Sequence, residues 1–177
     1  MAQHTNIETQ ALAKQLGQVL RTRSLVLTIA ESCTGGLVSE IITSIAGSSA
    51  WFDRGFVTYS NQAKIEMLDV SEETLKKHGA VSEQTAYEMT IGALNHSHAQ
   101  VGCSVTGIAG PDGGTRDKPV GTVCFAWAIN NDMTHGATYT STQLFTGSRI
   151  EIRQQSAIYM MTELIKAINN TTVQARH

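Results

Sequence analysis

The stretch SLVLTIAESCTGG, residues 24–36, joins an apolar run to a turn of small and hydroxyl-bearing residues. Its first part, Ser24 to Ala30, is almost entirely apolar and predicts a buried strand. The adjacent glycines Gly35 and Gly36 break that pattern and open a predicted helix that runs to about Ile45. Because strand, turn and helix form the repeating unit of α/β folds, this stretch predicts an α/β domain.

The rest of the sequence extends this pattern to an α-β-α-β-α-α-α-β-β-β-α order. Helices are predicted over 6–22, over 61–68 with Asn61 as N-cap, after the caps Ser71 and Ser82, and from the capping box Ser148-Arg149-Ile150-Glu151. The other strands are predicted near 55–59, 101–105, 121–129 and 136–145, with a hairpin turn at Asn130-Asn131-Asp132. We therefore expect a three-layer α/β/α sandwich with a mixed sheet, in a single domain over residues 1–177 with its core at about 5–170.

The composition narrows the range of functions. The 177 residues carry 13 Lys and Arg against 15 Asp and Glu, which argues against nucleic-acid or polybasic membrane binding. No apolar run approaches the ~20 residues of a membrane span, and the N-terminus lacks a secretory pattern. Three widely spaced cysteines suit a reducing cytoplasm. His96 and His98 lack acidic partners at ligand spacing, so no metal site is predicted.

Three residues with hydroxyl and amine side chains form the strongest catalytic candidate. Ser49 precedes the second predicted strand, Tyr59 ends it, and Lys64 lies one turn into the next helix. A serine needs a base to become nucleophilic, and a lysine supplies one when burial lowers its pKa. The set is sufficient for acyl transfer, although a turn serine, an edge tyrosine and a solvated lysine are each ordinary features.

The turn after the first strand is the second candidate. Gly35-Gly36 lets the backbone approach a ligand, so that free N–H groups bind an anion or an oxyanion. Ser32 and Thr34 add hydroxyl donors, and Glu31 would anchor a ribose or an amide. Cys33 is interpreted as a packing residue. The alternative is that the glycines only permit a sharp turn.

A glycine-rich loop and two arginines complete the candidates. The loop from Thr106 to Gly114 leaves the end of a strand and offers backbone N–H groups to a phosphate or a ring. Arg149 and Arg153, near the start of the last helix, are unfavourable against its dipole unless an anion binds there. A flexible surface loop and two solvated arginines remain the alternatives.

Together these segments resemble a known family. The resemblance rests on AESCTGG (30–36), AGSSAWF (46–52), GFVTYSN (55–61) with Lys64, GAVS (79–82), TGIAGPDGG (106–114) and KPVGTV (118–123). In this order they resemble the CinA C-terminal domain family, over about residues 5–170. The similarity is greatest to stand-alone members that hydrolyse nicotinamide mononucleotide to nicotinic acid mononucleotide and ammonia, without a cofactor, in the recycling of NAD.

The resemblance also implies roles for individual residues. It places the nucleophile at Ser49, with Ser48 and Ser32 as alternatives, the proton-transfer pair at Tyr59 and Lys64, and the oxyanion environment at Ser32. The implied substrate contacts are Glu31, Thr34, Gly35, Gly36, Ser48, Asn61, Thr106, Gly107, Ala109, Gly110 and, for the phosphate, Arg149. A homodimer is also expected.

Two other functions are alternatives to this one. Short-chain dehydrogenases also use Ser, Tyr and Lys, but there Tyr and Lys are four residues apart on a helix, and the dinucleotide fingerprint is missing here. A non-catalytic nucleotide-binding module that regulates a partner is the remaining alternative. The joint presence of Ser49, Tyr59 and Lys64 favours the enzyme.

Overall fold

A computed structural model describes residues 2–129 and 138–171, and within them the predicted order of elements is confirmed. The helices are α1 (Ala2–Thr22), α2 (Leu37–Thr43), α3 (Asn61–Leu68), α4 (Glu72–His78), α5 (Glu83–Asn95) and α6 (Arg149–Asn170). The strands are β1 (Leu27–Glu31), β2 (Phe52–Val57), β3 (Val101–Gly107), β4 (Thr122–Ile129) and β5 (Thr138–Leu144). A 3-10 turn, Ser48–Ala50, precedes β2. The predicted hairpin turn at Asn130-Asn131-Asp132 lies outside the described residues.

The five strands form one mixed sheet, as predicted, and their order in it is β2-β1-β3-β4-β5. β1 runs parallel to both β2 and β3, whereas β4 runs antiparallel to its two neighbours, β3 and β5. The chain leaves β1 for β2 on one side and later reaches β3 on the other. The carboxyl end of β1 is therefore a switch point, where α/β folds commonly bind ligands.

Helices cover both faces of the sheet, which confirms the three-layer sandwich. On one face the main core joins Leu16 of α1, Phe125 of β4 and Leu164 of α6. On the other face Ala30 of β1 packs with Met89 of α5. All five residues of β1 are buried, so its continuous apolar run is that of a strand covered on both sides.

Serine side chains define where most helices begin. Ser71, Ser82 and Ser148 cap α4, α5 and α6 as predicted, and Ser148 forms the full capping box with Glu151. For α3 the cap is Ser60, which accepts from the N–H of Ala63, so the assignment of Asn61 was wrong by one residue.

The expectations about membrane spans, cysteines and metal sites can be compared with the described part of the chain. None of its helices is long and apolar enough to cross a membrane. The three cysteines are free and buried. Within the described residues, no group of three or more His, Cys, Asp or Glu side chains could hold a metal ion. The homodimer and the cytoplasmic location stay predictions.

Candidate active site

The candidate active site lies at the carboxyl ends of the parallel strands. The turn from Ser32 to Gly36 follows β1, Thr58 and Tyr59 follow β2, and the glycine-rich loop follows β3. The ladder continues past the strand ends, because the N–H of Ser32 donates to the Val105 carbonyl. Parallel strands thus bring three separate loops to one edge of the sheet.

Lys64 is the central feature of this edge. It lies in the first turn of α3, and since helical side chains tilt toward the N-terminus, it reaches back to the strand ends. Its side chain is 1% exposed, and its Nζ donates to the Ser32 Oγ and to the Thr58 carbonyl, both at 2.9 Å. No carboxylate of the described residues forms an ion pair with it.

Burial of this amine has an electrostatic consequence. Loss of hydration disfavours the charged form and lowers the pKa of Lys64 from 10.5 to about 8, with the neighbouring Cys33 acting weakly in the opposite direction. A substantial fraction of the amine is therefore neutral near physiological pH. A neutral amine donates to the Thr58 carbonyl while its lone pair accepts the proton of the Ser32 hydroxyl.

The structure corrects the predicted contact between Ser49 and Lys64. Ser49 is exposed and lies in the 3-10 turn before β2, where the carbonyl of Trp51 pairs with the N–H of Leu27 at the start of β1. Lys64 lies beyond the other end of these strands, about 17 Å away at the rise of an extended chain. Ser48 shares the position of Ser49 and is buried, so neither serine reaches the amine.

Ser32 takes the place that had been assigned to Ser49. It immediately follows β1, whereas Lys64 follows β2, and the parallel pairing of the two strands brings their carboxyl ends together. Ser32 is almost fully buried, and among the described residues its Oγ is the only side-chain atom that forms a hydrogen bond with the Lys64 amine. Of the three candidate serines, the structure brings Ser32 alone into contact with the Lys64 amine.

Glu31 has a structural position rather than the predicted contact with substrate. Its fully buried carboxylate accepts five hydrogen bonds, from the Thr34 hydroxyl, the N–H groups of Gly36 and Val38, and both the N–H and the hydroxyl of Ser39. These donors belong to the turn and to the first turn of α2, whose dipole favours a negative charge there. Both carboxylate oxygens are occupied, so Glu31 fixes the turn that carries Ser32, and the Thr34 hydroxyl is likewise committed.

The backbone of the turn leaves a donor beside Ser32. The N–H of Gly35 donates to the Ser32 carbonyl and that of Gly36 to Glu31, so the two glycines do not offer free N–H groups as predicted. The N–H of Thr34 has no acceptor among the described residues. Cys33 packs in the core, and burial raises its pKa to about 12, in agreement with its interpretation as a packing residue.

Tyr59 and Arg149 contact each other at the protein surface, beside the carboxyl ends of the parallel strands. Tyr59 is 60% exposed, and its hydroxyl accepts a 2.8 Å hydrogen bond from Arg149, which also donates to the Gly110 carbonyl at 2.8 Å. The structure thus joins Tyr59 to Arg149 rather than to Lys64. Both acceptors are neutral, so neither compensates the positive charge of Arg149.

Several other residues predicted to contact substrate make contacts within the protein instead. The hydroxyl of Thr106 is buried and donates to the Ala80 carbonyl, and Ala109 packs in the core, so neither side chain is available to substrate. Gly107 is required by the close approach of β4, since a Cβ there would lie 2.8 Å from Val123. Asn61 is exposed on α3, and its contact with substrate stays a prediction.

Sequence reasoning left out Thr58, and it did not predict the contact that Arg153 makes at this edge. The carbonyl of Thr58 holds Lys64, and backbone carbonyls carry no sequence signal. Arg153 donates from Nε and Nη2 to the Thr34 carbonyl at 3.2 and 2.5 Å, so it holds the turn that carries Ser32 from α6.

Comparison with known proteins identifies the family. The model of the CinA C-terminal domain matches residues 9–168. The chain belongs to the CinA C-terminal domain family. The nicotinamide-nucleotide amidohydrolase PncC of Escherichia coli strain K12 is 52% identical over 160 residues, which cover 90% of this chain and 94% of that protein. A putative competence-damage inducible protein of Symbiobacterium thermophilum is 47% identical over 158 residues, but these cover only 37% of its length.

Solved structures of CinA proteins share the fold. The competence/damage inducible protein CihA of Agrobacterium tumefaciens is 44% identical, with a TM-score of 0.86 over 92% of this chain and 96% of that one. The competence damage-inducible protein A of Klebsiella pneumoniae is 35% identical, with a TM-score of 0.87 over 93% and 99%. The family resemblance found in the sequence is thereby confirmed.

Proposed function

We propose that the protein hydrolyses the carboxamide of nicotinamide mononucleotide to nicotinic acid mononucleotide and ammonia. The observation that carries this proposal is the buried 2.9 Å contact between the Lys64 amine and the Ser32 hydroxyl. The 52% identity to a nicotinamide-nucleotide amidohydrolase supports the substrate. Ser32 replaces Ser49 as the nucleophile, because Ser49 lies at the opposite end of the sheet.

The first step is activation of Ser32. Neutral Lys64 takes the hydroxyl proton as the serine oxygen attacks the carboxamide carbon. The Thr58 carbonyl supports this transfer, because it holds the amine in place and stabilises the ammonium that forms. The pyridinium ring of the substrate withdraws electrons from the carboxamide, so a base with a pKa of about 8 suffices.

The tetrahedral intermediate then collapses with loss of ammonia. Its oxyanion is held by the backbone N–H of Thr34, which points from the turn after Ser32 and lacks another acceptor among the described residues. The Lys64 ammonium returns its proton to the amide nitrogen, and the carbon–nitrogen bond breaks. Ser32 is left as an ester of the nicotinic acid moiety, and Lys64 is neutral again.

Water completes the cycle. Lys64 takes a proton from a water molecule that attacks the ester carbon, and then protonates the departing Ser32 oxygen. The product carboxyl group loses its proton to solvent. The nucleophile and the base are thereby restored without a metal ion or an organic cofactor in any step.

Positive charge near the site supports an anionic substrate. Arg149 and Arg153 hydrogen-bond only to neutral oxygens, and neither forms an ion pair within the described residues. A phosphate at the start of α6 would offset their charge and face the N-terminal end of the helix dipole. Arg149, at the protein surface and next to Tyr59, is the proposed phosphate contact.

We place this reaction in the recycling of pyridine nucleotides toward NAD, in the cytoplasm and in a homodimer. A regulatory module that binds a nucleotide without turnover is the alternative. Such a module would not require a buried amine with a lowered pKa beside a hydroxyl group. The Ser32–Lys64 contact therefore favours hydrolysis.

The test is incubation with nicotinamide mononucleotide and measurement of released ammonia. Wild-type protein should release ammonia in step with the formation of nicotinic acid mononucleotide, and Lys64→Met should not. Lys77→Met, which changes an exposed lysine on α4, is the matched control and should behave as wild type. Binding of the nucleotide without ammonia release by wild type would favour the regulatory module instead.

A further inference from the structure

Two motifs of the sequence have no part in the chemistry proposed above. They are the segment Gly79–Val81, between α4 and α5, and the loop residue Lys118. The structure joins them, because the Lys118 Nζ donates to the His78 carbonyl at 3.0 Å and to the Val81 carbonyl at 2.7 Å. One ammonium group thus spans the segment from both ends.

This segment lies beside the nucleophile. Glu31 pairs with Val105 in the parallel ladder, so the next residues, Ser32 and Thr106, are neighbours at the strand ends. The hydroxyl of Thr106 donates at 2.8 Å to the carbonyl of Ala80, the middle residue of the segment. Gly79–Val81 therefore forms a wall over the sheet edge at which the Ser32 oxygen is held.

Side chains from outside hold this wall in place. The carbonyls of His78, Ala80 and Val81 accept from Lys118 or Thr106, and the Gly79 carbonyl accepts from the hydroxyls of Ser82 and Thr85 at the start of α5. The His78 carbonyl ends α4, where a cation is favoured by the helix dipole. No described carboxylate pairs with Lys118, so its charge is directed at these carbonyls.

We propose that Lys118 is a positioning residue, which fixes the Gly79–Val81 wall so that the carboxamide of the substrate is held against Ser32. This inference rests on the proposed amidohydrolase function. Lys118 belongs to the same loop as Gly110. This loop therefore has two contacts near the site, one from the Gly110 carbonyl to Arg149 and one from the Lys118 ammonium to the wall. Loss of the ammonium would let the wall move while the Ser32–Lys64 pair stays intact.

The experiment compares steady-state ammonia release by wild type, Lys118→Met and Lys118→Arg, with Lys77→Met as the control. A wall displaced by about 1 Å lowers kcat/KM by about a hundredfold, and we expect most of this loss in KM for Lys118→Met. Lys118→Arg keeps a cation with several donors and should recover most of the KM. A purely structural role would lower the folded fraction and kcat but leave KM unchanged, which would overturn the proposal.

Two further measurements keep the outcome decisive. Thr106→Val removes the second tie to the wall, and it should raise KM in the same direction if Lys118→Met does not fold. Hydrogen–deuterium exchange of the 79–82 amides should be about tenfold faster in Lys118→Met than in wild type, whatever the activity. Inert wild-type protein would defeat the proposed function alone, whereas unchanged exchange at 79–82 would defeat the positioning role of Lys118.

Discussion

The pH dependence of turnover follows from the burial of Lys64. Only the neutral amine accepts the Ser32 proton, and burial places its pKa at about 8. The neutral fraction is then about 9% at pH 7 and about 50% at pH 8. We therefore expect kcat/KM to rise about fivefold between pH 7 and pH 8, to approach a tenfold rise per pH unit only below about pH 7, and to level off above about pH 9.

The assay is ammonia release at low concentrations of nicotinamide mononucleotide, from about pH 6.5 to 9.5. This range avoids most of the titration of the substrate phosphate, whose second pKa is near 6. Folding is monitored at each pH by circular dichroism, so that loss of structure is not mistaken for loss of base. A rate that is flat across the range, or that falls as pH rises through 8, would refute the role of neutral Lys64.

Three further predictions concern stability. Glu31→Gln should lower the free energy of unfolding in urea by about 3 kcal/mol or more, because an amide cannot accept all five hydrogen bonds of the carboxylate; a loss below about 1 kcal/mol would contradict this. Thr58→Val should leave the melting temperature equal or higher, since the buried Thr58 Oγ1 has no partner among the described residues, and a clear drop would show that the hydroxyl has one. Between about pH 8 and 10.5 the unfolded chain binds the Lys64 proton that the folded chain has lost, so wild-type stability should rise with pH relative to Lys64→Met, and a falling difference would be inconsistent with the lowered pKa.

Local sequence signals predicted the elements of this fold well. The predicted helix 61–68 coincides with α3, Ser71 caps α4, and the capping box at Ser148 is formed as expected. Caps and apolar periodicity act over a few residues, so they are legible without knowledge of the tertiary structure. The mixed sheet followed from the order of elements and the predicted hairpin.

The candidate site depended on information that spacing along the chain does not contain. Ser49 and Lys64 are separated by a single strand, and a strand carries the residues before and after it to opposite ends of the sheet. β2 begins at Phe52, earlier than the predicted Gly55, which lengthens that separation. Ser32 is 32 residues from Lys64 and reaches it only because β1 and β2 are parallel neighbours.

The role of Glu31 was hidden for a related reason. A carboxylate in a turn before a helix suggests a ligand contact as readily as a cap. Its five donors include Val38 and Ser39, which reach it only because α2 begins at Leu37. The sequence predicted only that this helix follows the two glycines. Its exact start therefore determines whether the Glu31 carboxylate faces the substrate or the protein.

The most direct test of the account is the activity of two alanine variants, Ser32→Ala and Ser49→Ala, on nicotinamide mononucleotide. Ser32→Ala should lose at least about a thousandfold of kcat while keeping its fold, as expected when the group that forms the covalent intermediate is removed. Ser49→Ala should retain wild-type turnover, because it lies at the far end of β2. Loss of activity in Ser49→Ala together with retention in Ser32→Ala would contradict the assignment of Ser32 and Lys64 as nucleophile and base.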